Sequence, residues 1–139
     1  MKLFSFLKKQ TPEQQAEMLY TQGITLIGSG YWDSAFDKIS EAAELGHRGA
    51  VGQLAMMYIF GQGCEKDIEH GLELLERSVN MGNVFSCFAY SVLYDSGIEE
   101  VTAEKAEEMC GIAAKAGMPE AVERMEKGFG AINNEAENS

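Results

Sequence analysis

The sequence predicts an all-α fold, a right-handed solenoid of about seven helices stacked as antiparallel pairs. The composition favours helices, because proline occurs only 2 times and β-branched residues are sparse beside Ala, Glu, Leu and Met. A pattern of small and apolar residues also recurs about every 36 residues, a length typical of stacked helix pairs. A glycine follows each predicted second helix of a pair, where a chain that leaves a helix often adopts the left-handed conformation.

The recurring pattern is clearest in the second helix of each pair. Five positions keep a spacing of 36 and then 35 residues across three copies of the pattern. The small residues among them allow two helix backbones to approach closely where the helices cross. The five positions are Ala35, Gly71 and Ala106; Ile39, Leu75 and Cys110; Ala42, Ser78 and Ala113; Ala43, Val79 and Ala114; and Gly46, Gly82 and Gly117.

A single helical domain is therefore expected over residues 13–131. Residues 1–12 are expected to form an N-terminal tail, and residues 132–139 a disordered acidic tail. Pro119 suits the first turn of the last helix, because proline has no N–H to leave unpaired there. The domain divides into three units and a capping helix, at about 13–46, 47–82, 83–117 and 118–131.

The second and third units, at 48–82 and 84–117, resemble Sel-1-like repeats, and the first unit resembles a tetratricopeptide repeat. In the second unit the resemblance is carried by Ala50, Leu54, Ala55, Tyr58 and Gly61. In the first unit it is carried by Gly23, Tyr31, Ala35, Ile39 and Ala42, and in the third by Tyr94, Gly97, Ala106, Ala113, Ala114 and Gly117. The resemblance implies a superhelical arc whose first helices line a concave face, and it implies binding rather than catalysis.

The net charge of −11 argues against a direct nucleic-acid ligand, because a protein that binds the phosphate backbone needs the opposite sign. The charge is uneven, since residues 95–139 carry 4 Lys and Arg against 11 Asp and Glu. Two interpretations stay open. The acidity either keeps a small helical protein soluble or suits a basic protein partner.

No pattern in the sequence predicts a catalytic, cofactor or metal site. The three cysteines, Cys64, Cys87 and Cys110, have no metal-ligand spacing from His47 or His70, and their odd number argues against a disulfide framework. Free thiols and a cytoplasmic location are therefore expected. The glycine-rich turns lack the Lys-Ser/Thr of a phosphate-binding loop, so no enzyme is expected.

The apolar run from Leu3 to Leu7 is too short for a secretory signal, and no stretch is long enough to span a membrane. With its flanking lysines, this run allows either contact with a membrane surface or fraying or packing beside the domain. We favour the second interpretation and expect no membrane partner.

The first helices supply the candidate binding surface. The resemblance places large apolar residues on the concave face, where they are spaced to share one side of a helix. Glutamates of the C-terminal third are expected to tune the approach of a partner. The candidate contact residues are Tyr20, Ile24, Met56, Phe60, Phe85, Phe88, Glu104 and Glu107, with Ile27, Ile59 and Val92 beside them. Core positions are expected at Trp32, Phe36, Leu54, Tyr58, Leu72, Leu75, Tyr90, Tyr94, Met125 and Phe129.

Two classes of function fit these observations. The first is an adaptor that binds a peptide or helix of another protein on its concave face. The second is a small acidic inhibitor or immunity-type protein that neutralises a basic toxin or enzyme, since opposite charges speed encounter. In either case the chain is expected to be a monomer or a weak dimer.

Overall fold

A computed structural model of the protein describes residues 9–129, which form seven helices and no strand. This confirms the predicted all-α fold. The predicted acidic tail at 132–139 and the first eight residues lie outside the described part. The helices are α1 (Pro12–Gly28), α2 (Trp32–Glu44), α3 (Arg48–Phe60), α4 (Ile68–Asn80), α5 (Val84–Asp95), α6 (Ala103–Lys115) and α7 (Pro119–Lys127).

The helices belong to two compact units that divide between Gly82 and Asn83. The first unit contains α1 to α4, in which α1 packs on α2, α2 on α3, and α3 on α4. In the second unit α5 packs on α6, and α6 packs on α7.

Local sequence explains where most helices begin. Five of the seven helices of residues 9–129 start at a residue whose side chain accepts a hydrogen bond from a backbone N–H of the first turn. Before α1, Thr11 and Gln14 form a reciprocal capping box. Both prolines occupy the first position of a helix, as predicted for Pro119. The five capping residues are Thr11, His47, Asp67, Asn83 and Thr102.

The predicted terminal glycines adopt the left-handed conformation. Gly46 has φ of 87°, its N–H donates to the Ala43 carbonyl at 3.0 Å, and the next N–H, of His47, donates to the Ala42 carbonyl at 3.1 Å. This pair of bonds satisfies carbonyls that the helix end leaves unpaired. The same arrangement recurs after α6, where Gly117 has φ of 92°.

The repeated positions form the centre of both units. The first three sets of repeated residues are all buried, from Ala35 at the start of α2 to Ala113 in α6. Glycines permit the closest helix approaches, because a Cβ added to Gly71 would lie 2.8 Å from the Ala55 backbone oxygen. In the pair formed by α1 and α2 the glycine lies on the first helix instead, where Gly23 faces the side chain of Ile39.

The predicted core residues are buried to different extents. Leu54, Leu75, Tyr90 and Phe129 are buried. The remaining predicted core residues are half-buried, and three of them pack against the core of the first unit. These three are Trp32, Phe36 and Tyr58.

Arg124 and Phe129 fix the end of the second unit. The Arg124 guanidinium donates to both carboxylate oxygens of Asp95, at 3.2 and 2.7 Å, and lies 3.9 Å from the centre of the Phe129 ring. The Tyr94 hydroxyl donates to the Phe129 carbonyl at 3.4 Å. Helix α7 ends at Lys127, earlier than the predicted capping helix. No helix of residues 9–129 is long and apolar enough to cross a membrane.

Candidate functional site

Helix α3 is buried on every side except one. Seven of its residues between Ala50 and Ile59 are buried. Four of the six other residues of α3 lie at i, i+4, i+7 and i+11, which places them in one line along a helix. They are Gly49, Gln53, Met56 and Phe60, and the Phe60 side chain is 38% exposed.

Helix α5 repeats this stripe 36 residues later, at Phe85, Ala89, Val92 and the capping residue Ser96. Phe85 is 75% exposed, more than any other large apolar side chain of residues 9–129. Aromatic rings are usually buried in folded proteins, so this exposure needs an explanation.

Helix α1 presents the corresponding stripe. Gly23 and Ala55 occupy equivalent places, because each meets the second helix of its pair. This equivalence aligns the stripe of α3 with Glu17, Thr21, Ile24 and Gly28, which are all exposed. We call the three sets of four residues on α1, α3 and α5 the first-helix stripes.

His47 connects the stripes of α1 and α3. Its Nδ1 accepts the Ala50 N–H at 3.1 Å, so the ring proton is assigned to Nε2, which lies 2.6 Å from Glu17 Oε2. The ring stacks on Tyr20, with ring centres 4.3 Å apart. Gly49 leaves room for this stack, since an added Cβ would lie 3.2 Å from the Tyr20 ring.

The same cluster raises the pKa of the Tyr20 hydroxyl, mainly through burial and secondarily through the negative charge of Glu17. The hydroxyl therefore stays protonated at neutral pH. The cluster consists of a carboxylate, an imidazole and a phenol. Its evident effect is structural, because it caps α3 and holds it against α1.

The sequence-predicted contact residues divide into three groups. Ile24, Met56, Phe60 and Phe85 lie on the first-helix stripes. Tyr20 and Phe88 are half-buried and lie on the first helices but outside the stripes. Glu104 and Glu107 are exposed on α6, a second helix.

One neighbouring residue was placed wrongly by sequence reasoning. Ile59 is fully buried and faces Gly71 of α4, where an added Cβ would meet its side chain at 2.5 Å. Sequence reasoning also missed Gln53 and Ala89. The 36-residue spacing between them was the signal that would have found this pair.

Charged residues are rare on α3 and α5, although the first helix α1 carries Glu13 and Glu17. Helices α3 and α5 each contain one charged residue, Arg48 and Asp95, and both lie at a helix end. The second helices α2, α4 and α6 contain five, four and five charged residues. The stripes of α3 and α5 therefore present an uncharged surface, while α2, α4 and α6 together carry ten carboxylates.

The described residues offer no alternative chemical site. Within residues 9–129 no group of three His, Cys, Asp or Glu side chains is placed to hold a metal ion. None of the three cysteines forms a disulfide. Burial raises the pKa of the Cys64 and Cys110 thiols, which lowers their reactivity at neutral pH.

Comparison with known proteins shows which proteins share this architecture. The family model of plant tetratrico peptide repeats matches residues 1–91. A crystal structure of a Sel1 repeat protein from Oxalobacter formigenes is similar, with a TM-score of 0.60 and 24% sequence identity. The match covers 83% of this chain and 47% of that one, so this chain spans about half of that protein's length. The similarity shows an α-solenoid fold, and tetratricopeptide repeats form protein–protein interaction modules.

Proposed function

We propose that this chain, which belongs to the tetratricopeptide repeat family, is a non-enzymatic adaptor. Each of its two compact units offers its own first-helix stripes to an apolar peptide or helix of a partner protein. The observation that carries the proposal is the exposure of Phe85 on a stripe that also contains Val92. A buried aromatic ring is among the strongest contributors to a protein interface. We place the adaptor in the cytoplasm, where the thiols of its three cysteines, none of which forms a disulfide, stay reduced.

The scarcity of charge on α3 and α5 favours an apolar partner over a basic one. A protein that neutralises a basic toxin needs its carboxylates at the contact, whereas the stripes of α3 and α5 are uncharged. Glu104 and Glu107 lie on α6. We therefore expect them to change the association rate with little effect on the strength of the final complex.

Two valines provide a matched test of the contact surface. Val92 lies on the stripe of α5 and is 39% exposed, whereas Val122 lies on α7 and is 41% exposed. Val92→Ala and Val122→Ala remove the same atoms from sites of equal exposure. A partner is first isolated with the unmodified chain, and its dissociation constant is then measured for each variant by calorimetry.

We expect Phe85→Ala to weaken the complex about 30-fold, which corresponds to a hot-spot loss of about 2 kcal/mol. Val92→Ala should weaken it several-fold, and Val122→Ala should leave it unchanged. Equal effects of the two valine variants would contradict the proposed surface. An association rate that falls steeply between low and high salt would instead favour the acidic inhibitor.

A further inference from the structure

Glu17 is a surface carboxylate that the fold holds in place. Its side chain is 65% exposed, while the side chain of His47, which holds it, is only 17% exposed. Glu17 Oε2 lies 2.6 Å from His47 Nε2. The imidazole is itself fixed, because its Nδ1 accepts the Ala50 N–H and its face stacks on the Tyr20 ring. An exposed glutamate ordinarily keeps its rotamer freedom until it binds a ligand, and here much of that freedom is already lost.

The contact with His47 leaves the negative charge of Glu17 in place. Since Nδ1 accepts an N–H, the imidazole carries a single proton and is a neutral donor. Helix α1 contains Glu13 and Glu17 but no lysine or arginine. The guanidinium of Arg48 lies at the end of α4, where it would be 3.7 Å from a Cβ added to Gly82. The stripe of α1 therefore presents a negative charge at Glu17.

An exposed apolar side chain follows on the same stripe. Ile24 is 39% exposed and lies two helical turns beyond Glu17, which is about 10 Å along the axis. Between them, the Thr21 hydroxyl donates to the backbone carbonyl of Glu17 at 2.9 Å and leaves the carboxylate open to a ligand. A peptide that packs an apolar side chain on Ile24 therefore passes within reach of this carboxylate.

We propose that Glu17 makes the first unit select peptides that carry a lysine or arginine about two to four residues from the apolar side chain that packs on Ile24. The basic side chain donates to the Glu17 carboxylate, and His47 is a positioning residue. A charge-assisted bond of this kind is stronger than a neutral one, and a fixed acceptor loses less entropy on binding. The inference rests on the proposed function, because it specifies which apolar peptide the first unit takes.

The selection belongs to α1 alone. The places that correspond to Glu17 on the other two stripes are occupied by Gly49 on α3 and Phe85 on α5, and neither carries a charge. A partner segment on the stripe of α5 therefore needs no basic residue, which separates this inference from the binding test in the second unit.

A displayed library of random peptides, selected on the full chain and on three variants, tests the inference. Glu17→Gln removes the charge, while the amide oxygen can still accept from His47. His47→Asn keeps a residue that can cap α3 but leaves Glu17 unheld. Glu13→Gln is the matched control, because it removes an equal charge from α1 one turn before the contact with His47.

We expect the unmodified chain to select apolar peptides with a basic residue at the proposed spacing. In one such peptide, norleucine replaces the basic residue, and dissociation constants are measured by fluorescence polarisation. The replacement should weaken binding to the unmodified chain about three- to fivefold at low salt and should not affect binding to Glu17→Gln. Glu13→Gln should behave as the unmodified chain does.

His47→Asn separates positioning from a general loss of structure. This variant should bind the norleucine peptide as tightly as the unmodified chain does, and it should gain less than twofold from the basic residue. Equal weakening of both peptides would show that His47 acts only on the fold, and would overturn its part in the inference.

The remaining outcomes separate this inference from the proposed function. Selected apolar peptides without a basic residue, or an equal norleucine effect on the unmodified chain and on Glu17→Gln, would overturn the inference alone. Basic peptides that share no apolar residue would contradict the proposed function as well. A dimer in sedimentation velocity that Glu17→Gln abolishes would assign the basic group to a second copy and overturn the inference. So would a selection that enriches no peptide, and the valine variants then decide the proposed function.

Discussion

The substitution Gly71→Ala tests the closest helix contact of the fold. A methyl group there would lie 2.5 Å from the Ile59 side chain, 2.8 Å from the Ala55 backbone oxygen and 3.1 Å from the Ile59 backbone nitrogen. Two of these neighbours are backbone atoms, so the helices α3 and α4 must move apart. Overpacking of this kind costs about 1–3 kcal/mol, and the better helix propensity of alanine returns about 1 kcal/mol. We expect a net destabilisation of about 1 kcal/mol, within a range of about 0–2 kcal/mol.

Two other glycines of the first unit serve as controls, measured by urea unfolding with circular dichroism at 222 nm. At Gly23 the nearest atoms belong to the Ile39 side chain, at 2.5 and 2.7 Å. Ile39 is fully buried and β-branched, so Gly23→Ala should also destabilise the unit, but by less than Gly71→Ala, because the nearest atoms belong to a side chain and not to the backbone. Nothing lies within 4 Å of Gly28, and Gly28→Ala should stabilise the unit by about 0.5 kcal/mol. The reasoning is refuted if Gly71→Ala is as stable as Gly23→Ala.

Three further predictions concern the core and its titratable groups. Ala42→Leu should cost about 1–3 kcal/mol in urea unfolding, because Ala42 is fully buried; a neutral result would mean that the crossing has spare room. Arg124→Ala should lower the stability of the second unit by about 2 kcal/mol, because its two bonds to Asp95 and its contact with an aromatic ring are lost. Burial raises the pKa of the Cys110 thiol in the folded state. The stabilisation that the protonated thiol gives the fold is therefore complete below the unfolded pKa of about 8.5, and it is lost as the pH rises further. The urea midpoint should therefore fall between pH 8 and 10, and Cys110→Ala should reduce that fall; equal slopes would contradict this assignment.

The repeat made the core of this protein predictable. A residue that recurs at one helix position must pack against an equivalent neighbour in each copy. This is why Ala42, Ser78 and Ala113 are all buried. The close approach at Gly23 was harder to predict from the repeat. There the small residue lies on the first helix, and the partner position in α2 is the large residue Ile39. The pattern in the second helices alone does not show which of the two paired helices carries the small residue at their crossing.

The stripe of α3 was harder to predict than the core, for a physical reason. Residues between Gly49 and Phe60 are small or apolar in nearly every direction around the helix, so the periodicity of hydrophobicity does not mark the exposed side. This explains why Ile59 was placed on the surface. The bond between His47 and Glu17 spans 30 residues, and nothing in the local sequence around either residue predicts it.

The differences among the repeats add a further argument for a binding role of the first-helix stripes. At the helix crossings the repeats keep small side chains, because a larger one would separate the helices. Three of the four stripe positions change in size and polarity from one helix to the next, as at Glu17, Gly49 and Phe85. The remaining position stays aliphatic or thioether-bearing in each copy, at Ile24, Met56 and Val92. Because Ile24 and Val92 are exposed and Met56 is only half-buried, packing within the fold does not require this constancy. Under the proposed function, an apolar side chain of a partner placed against Ile24 and Met56 in the first unit, or against Val92 in the second, accounts for it.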